Sequence, residues 1–372
     1  MNADLMPLDI YGHLAERVLG QEEALKSVAV AVYKHVNRIG GARILLIGNS
    51  GTGKTTIMKA IEELYAAHEG LTANRAVAIM NARTLLNEQG DVDVFGVFRS
   101  LESRVTALLG ENRSPNAVLS LLEHSTVCLD EIDKISGRVA GKPDVTGITL
   151  QQALLTIIEG ERILYRTKVY ANGAERMAKL PIDTRRMLFI CGGAFEELYE
   201  QVFNRVENKE DERRLKEVRD YDRKHGMRTA IHFTLRDYLK MSDLFHYGMA
   251  PQFLSRFSSL AVLSDLERPT LRNILLRSVD SPYAQSRRYF KTMGIDLELE
   301  DGAVDVIVDH AAENTRLGAR ALWEVFGRVV VDLEFDPLGS PGLRETDAGG
   351  KALTVDADLA VDRLATWEGC GS

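Results

Sequence analysis

The chain has 372 residues, 45% of them hydrophobic and 27% charged, and its 46 Lys and Arg against 54 Asp and Glu leave a net charge of −8. At about 100–200 residues per domain this means two or three domains with a large buried core; wholesale disorder is excluded, and the acidic balance argues against a chain whose main task is coating DNA or an anionic membrane. Cys128, Cys191 and Cys370 offer neither a disulfide framework nor a CxxC zinc site, no apolar stretch reaches the roughly 18 residues of a membrane span, and the N-terminus lacks a basic, apolar signal, so the expectation is a soluble protein of a reducing cytoplasm.

Ile10, Leu14 and Val18, then Leu25, Val28, Val32 and Val36, recur at helical spacing broken by Gly20, which predicts a helical lead-in over 10–38 that Gly40-Gly41 ends. Arg43 to Ile47 is short and apolar before a glycine-rich turn and predicts a buried strand; Lys54 to about His68 predicts a helix. Apolar runs at 76–80, 126–129 and 187–191 repeat the strand signal, with helical patterns such as 98–109 and 150–159 between them. Strands alternating with helices predict parallel strands in a three-layer α/β domain. Residues 204–228 hold nine Lys or Arg and seven Asp or Glu, and predict a solvated helix or a mobile insert. From Pro269 onward the pattern is mainly helical (269–292, 301–313 and 319–334), with strand-like runs at 295–299 and 352–355 and a loop over 336–351. Ser264, Asp265 and Pro269 supply turn and cap chemistry for a boundary near 264–268, giving a large α/β domain over 1–266 and a small, mainly α-helical domain over 267–372.

GNSGTGKT at 48–55 fits G-x-x-x-x-G-K-[ST], directly after a predicted strand and directly before a predicted helix. Its glycines let backbone N–H groups close around phosphate oxygens, and the helix N-terminus adds positive partial charge. Gly48, Asn49, Ser50, Gly51, Thr52, Gly53, Lys54, Thr55 and Thr56 are therefore the candidate cradle for ATP, with Lys54 reaching the β- and γ-phosphates and Thr55 ligating Mg²⁺. A chance match in a chain of this length runs at about one per cent.

TVCLDEID at 126–133 delivers two adjacent carboxylates at the C-terminal end of an apolar strand, where open α/β sheets bind ligands. Asp130 is expected to hold Mg²⁺ through water and Glu131 to polarise the attacking water, a pairing that suits hydrolysis better than transfer to a bound acceptor. Arg256 in APQFLSRF (250–257) and Arg320 in RLGARAL (316–322) are the remaining candidates. A guanidinium suits the charge on a transferring phosphoryl group and can be supplied by a neighbouring chain; by chemistry alone, a surface salt bridge is the plainer reading of each.

Residues 16–36 (ERVLGQEEALKSVAVAVYKHV), the phosphate loop, LDEIDKIS (129–136), LQQALLTIIEG (150–160), MLFICGGAF (187–195), PQFLSRF and LGARAL together resemble a ClpX-type AAA+ unfoldase, in the same order along most of 10–335. The resemblance implies an AAA+ P-loop fold and a homo-oligomeric ring of six. ATP would be bound between subunits, and hydrolysis would drive axial pore loops that pull on an unfolded or tagged protein. It implies that Val18, Leu19 and Gln21 flank the adenine, that Asp130 and Glu131 are the Walker B pair, that Arg256 acts in trans and that Arg320 senses nucleotide in cis.

Several departures bear on partners. Only nine residues precede Ile10 and no CxxC pair exists, so the family's N-terminal zinc domain is not expected. The IGF tripeptide that docks the family onto the ClpP peptidase is absent from 196–247, which makes that partner doubtful. The pore motif GYVG is absent; Phe95-Gly96 in DVFGV (93–97) is its nearest counterpart, with a core or interface aromatic as the equal alternative for Phe95. SGRVAGKPDVTG (136–147) has the composition of a mobile second pore loop, RKH at 223–225 is a coincidence within a charged run, Gln252 stands where the family has Glu, and no polar sensor is evident at the end of 187–191. The alternatives are an AAA+ ATPase acting on nucleic-acid complexes, against which the net charge counts, and a subunit of a divergent protease.

Overall fold

Five short apolar runs become the strands of one parallel sheet: β1 (Arg43–Ile47), β2 (Val77–Asn81), β3 (Thr126–Asp130), β4 (Leu188–Gly193) and β5 (Ser259–Val262), in the spatial order β5-β1-β4-β3-β2. The computed structural model describes residues 5–87, 89, 91–139, 141–171, 174–208, 216–222, 226–314, 316–340, 342–345 and 349–368. The chain forms two compact units, one of Met1–Gly48 with Lys54–Ser264 and one of Asn49–Gly53 with Asp265–Ser372.

Alternation along the strands builds the layers of the first unit. Ile44, Leu46, Cys128, Leu188 and Ile190 face one side and pack against α1 (Pro7–Arg17), α2 (Glu22–Val36) and α3 (Lys54–Ala67) through Leu14, Val28, Val32, Ile57 and Ile61. Leu45, Ile47, Val127, Leu129, Phe189 and Cys191 face the other side and meet α4 (Gly96–Leu109), α5 (Pro115–Glu123), α6 (Val145–Ile158) and α7 (Glu196–Glu207) through Phe98, Leu101, Leu122, Leu154 and Leu198. A sheet covered on both faces needs strands that are apolar throughout, which is why these runs do not alternate with polar residues. The first unit is thus a three-layer α/β domain around a five-stranded parallel sheet, as expected.

Four expectations require correction. Residues 204–228 are not one solvated helix. Helix α7 ends at Glu207, and Lys216–Asp222 pairs antiparallel with Gly226–His232; residues 209–215 and 223–225, with Leu215 and the RKH tripeptide, lie outside the described residues. Within 136–147, Arg138–Val139 pairs with Lys142–Pro143, and Asp144 then caps α6 by accepting the Thr146 N–H at 3.1 Å, so the helix starts earlier than 150. The helical stretch 269–292 is two helices, Arg268–Arg277 and Pro282–Lys291, the second capped where Ser281 Oγ accepts the Ala284 N–H at 3.1 Å. The loop 336–351 contains a strand, Leu343–Glu345, paired with Lys351–Val355. In addition, Arg162–Ala171 and Ala174–Asp183 form a long antiparallel hairpin whose inward Tyr165 and Thr167 hydroxyls both donate to Glu102, at 2.7 and 2.5 Å.

In the second unit, helices Arg268–Arg277, Pro282–Lys291, Asp301–Glu313, Ala319–Phe335 and Ala357–Glu368 share a core of Leu271, Phe290, Ile307, Leu322, Phe326 and Val329 with a three-stranded sheet in which Lys351–Val355 lies between Ile295–Leu299 and Leu343–Glu345.

Candidate active site

Parallel strands all leave the sheet at one edge, so β1, β3 and β2 deliver their last residues along the same edge, with β4 between β1 and β3. Beyond Ile47, the Gly48 N–H donates to the Gly193 carbonyl at the end of β4, 3.3 Å away. Lys54 opens α3 and is only 8% exposed, with Nζ donating to the Gly48 carbonyl at 2.5 Å. Thr55 Oγ1 donates to Asp130 Oδ2 at 2.5 Å, and Asp130 Oδ1 accepts the Glu131 N–H at 2.9 Å. Glu131 stands at φ +55°, a left-handed conformation that costs a residue with a side chain about 1–2 kcal/mol. That bend turns the chain out of β3 and leaves the Glu131 carboxylate exposed at the edge, where it accepts a hydrogen bond from Asn81 Nδ2. Thr56 lies exposed on the first turn of α3.

Asn81 belongs to none of the sequence motifs. It ends β2 in register with Asp130, and its Oδ1 accepts the Arg83 N–H at 2.9 Å, which fixes the amide with its NH₂ toward Glu131. The available signal is one polar residue closing an apolar strand, and only the register gives it a partner.

The loop Asn49–Gly53 belongs to the second unit. Gly51 and Gly53 have φ of +70° and +105°, which is why glycine recurs here. Thr52 Oγ1 donates to the Asn49 carbonyl at 2.8 Å and Asn49 Nδ2 to Asp265 Oδ1 at 2.7 Å. Arg320, in the first turn of Ala319–Phe335, donates from Nη1 to Ser50 Oγ at 2.7 Å, and the Ala319 N–H donates to the Gly51 carbonyl at 3.1 Å. Arg320 and the loop are thus brought together.

The lead-in residues are placed as follows. Val18 is buried in the core with α1 and α2, Leu19 is half-buried, and Gln21 is buried with its amide on Ser264: Nε2 donates to the Ser264 carbonyl at 2.8 Å and Oε1 accepts its N–H at 2.9 Å. Arg256 is not near Lys54. It precedes β5 at the opposite edge of the sheet, where the Ser258 N–H donates to the Arg43 carbonyl at 2.9 Å, and its guanidinium pairs with Glu159. The five residues of β1 separate that edge from the phosphate loop, a span of roughly 16 Å at about 3.3 Å per residue.

Comparison with known proteins bears on this geometry. Residues 41–260, more than half of the chain, match the family described as AAA domain (Cdc48 subfamily). Proteins named ATP-dependent Clp protease ATP-binding subunit ClpX are similar along nearly the whole chain. The Bacteroides thetaiotaomicron protein is 30% identical over 350 residues, 89% of this chain and 77% of the relative. The Porphyromonas gingivalis protein is 29% identical over 376 residues, covering 96% and 83%, and the Borrelia duttonii protein 31% identical over 353 residues, covering 89% and 74%. The chain is a ClpX-like AAA+ protein.

As such it is a nucleotide-binding ATPase of the Clp chaperone type. In this ClpX-like chain Phe95 is 43% exposed at the N-terminus of α4, stacked on Tyr165 at 6.3 Å between ring centroids, with Gly96 opening the helix. Within 196–247, the apolar Phe233 is packed among Tyr199, Phe203 and Tyr238 at 4.9–5.3 Å between ring centroids. The strand β4 ends in Gly192 and Gly193, and the following Ala194 N–H donates to Asp133 Oδ1 at 3.1 Å. No described helix is long and apolar enough to cross a membrane.

Proposed function

We propose that this ClpX-like ATPase hydrolyses ATP at sites completed by a neighbouring subunit of a six-membered ring, and uses the cycle to pull on protein substrates. The observation that carries the reading is the opposition of two edges of one sheet. Lys54, Thr55, Asp130 and Glu131 stand at the exit edge, Arg256 at the entry edge, and a side chain cannot bridge roughly 16 Å of strand. A chain that carries both halves of a site on opposite edges completes each site by joining head to tail, and head-to-tail contacts close into rings.

The residues fit a bound nucleotide. The left-handed glycines give the loop the backbone freedom a phosphate cradle needs, Lys54 is a buried ammonium that a phosphate can draw off the Gly48 carbonyl, and the first turn of α3 offers its N-terminus to an anion. Thr55 and Asp130 bring a hydroxyl and a carboxylate oxygen to one spot, the oxygen donors that Mg²⁺ takes. When bound there, Mg²⁺ would neutralise phosphate charge. Glu131 orients the attacking water and accepts its proton, with Asn81 fixing the carboxylate. Arg256 of the neighbour stabilises the charge that develops on the transferred phosphoryl, and Arg320 reads the occupied loop through Ser50. Val18, Leu19 and Gln21 border the base, and Phe95 with Gly96 grips the substrate.

The reading includes no docked ClpP-type peptidase, because the region 196–247 offers a charged hairpin where an apolar anchor is required. The decisive experiment mixes Arg256→Ala subunits with Glu131→Gln subunits. Each is inactive alone, and mixed rings regain hydrolysis at interfaces where an intact Glu131 meets an intact Arg256. Full activity of a monomer at every protein and ATP concentration refutes the proposal.

A further inference from the structure

The entry edge of the sheet holds a cavity of about 320 Å³ lined by His35, Arg38, Gly40, His124, Arg185 and Arg186. That volume lies at the low end for small-ligand sites. Every ionisable group in the lining is a base. Arg185 gives Nε and Nη2 to Asp183 at 2.8 and 2.6 Å and Arg186 gives Nη1 to Glu123 at 2.6 Å, which leaves further N–H groups on Arg186. Among the described residues Arg38 makes no side-chain hydrogen bond or ion pair.

Arg38 also stands where the backbone disfavours it. The Arg38 N–H donates to the His35 carbonyl at 3.0 Å and the Ile39 N–H to the Lys34 carbonyl at 2.8 Å, closing the end of α2 in a turn that needs a left-handed residue. Glycine is the usual choice, yet arginine occupies the position at φ +58°. The fold by itself gives no reason for a guanidinium here.

The imidazoles supply the complementary feature. His35 is 2% exposed, and its Nε2 lies 3.1 Å from the His124 carbonyl. A carbonyl only accepts, so Nε2 carries the proton and Nδ1 is a lone pair, buried with no hydrogen-bond partner among the described residues. His124 Nδ1 donates to the Ser120 carbonyl at 2.8 Å, which leaves its Nε2 as an acceptor too. The cavity therefore offers guanidinium donors for an anion and imidazole acceptors for N–H or O–H groups.

We infer that this cavity binds a small phosphate monoester bearing hydroxyl or amino donors, of the nucleoside monophosphate class, at a site separate from the phosphate loop. Arg38 and Arg186 take the phosphate; His35 and His124 accept from the remainder of the ligand. The test uses the full chain carrying Lys54→Ala, which weakens the phosphate loop, titrated calorimetrically with AMP and separately with inorganic phosphate. AMP is expected to bind once per chain, about tenfold or more tighter than phosphate, in keeping with the extra hydrogen bonds. Arg38→Gly should weaken AMP binding by at least about tenfold while the unfolding midpoint holds or rises, because glycine relieves the left-handed strain; His35→Gln should weaken it as well. Three results overturn the inference: no binding of AMP, AMP binding that Arg38→Gly leaves unchanged, or phosphate binding as tightly as AMP.

Discussion

Gln151 joins the two halves of the proposed chemistry through one buried amide. It lies on α6 with no exposed surface; Nε2 donates to the carbonyls of Ile135 at 2.8 Å and Gly248 at 3.1 Å, and Oε1 accepts the Ala250 N–H at 2.7 Å. Ile135 ends the short turn that follows Glu131, and Ala250 leads into the segment that carries Arg256. Ser136 reinforces the link by donating to the Tyr247 carbonyl at 2.7 Å. Gln151→Leu keeps the volume and removes all three hydrogen bonds. The Gly248 carbonyl retains the Gly137 N–H at 2.8 Å, but Ile135 and Ala250 lose the amide that serves them. The buried Ile135 carbonyl and the partly buried Ala250 N–H, at about 1–3 kcal/mol for the first and less for the second, give a loss of about 2–4 kcal/mol, or on the order of 10 °C in a unit of this size. Urea unfolding measures that loss. Where the variant is still folded, steady-state ATP hydrolysis should show kcat down about tenfold or more with nucleotide affinity unchanged, because the loop and Lys54 are untouched while the segment before Arg256 is released. Parent values of both the unfolding midpoint and kcat would refute the assignment of Gln151 as the tie.

Glu131→Gln should bind ATP at near-normal affinity and hydrolyse it about 10²–10⁴-fold more slowly, whereas Lys54→Ala should weaken binding itself; equilibrium binding beside steady-state turnover separates the two, and parental turnover by Glu131→Gln sinks the base assignment. Burial pushes the His35 imidazole down to about 4 from 6.5, so the fold holds the neutral ring. Its folded pKa lies below its unfolded one; the contribution is complete above about pH 6.5 and is lost as pH falls toward 4, about 3 kcal/mol in all. Urea midpoints of the parent should drop across that window more than those of His35→Gln, and parallel pH profiles contradict the placement. A pull-down of Glu131→Gln rings with ATP should recover no ClpP-type peptidase, and stoichiometric recovery of one reverses that expectation.

What the chain discloses before folding depends on how local the physics is. The phosphate loop and the DE pair are legible because a strand, a turn and a helix start are each written within a few neighbouring residues. The five strands are legible because burial on both faces forces continuous apolar runs. The hairpin 162–183 is hidden because its outward positions, Arg166 and Lys168 among them, dilute the apolar alternation, and the partner that explains Tyr165 and Thr167, Glu102, lies on a helix more than 60 residues earlier. Charge density masks the pairing at 216–232 in the same way: what pairs there is backbone, and backbone pairing leaves no residue-type signature. Asn81, Gln151 and Arg38 form a third class. Each is one polar residue in an ordinary setting, and its meaning comes from a register, a pair of distant carbonyls or the sign of one backbone angle. Arg256 stands between the classes: its residue type suits phosphoryl chemistry and the family resemblance implies that it acts in trans, while its place at the edge opposite Lys54 adds a physical reason for a ring. Residue chemistry alone thus reads the half of the site held in one chain; for the half that the next subunit would supply it leaves a surface salt bridge as the plainer reading, and the direction of the sheet supplies the physical argument against it.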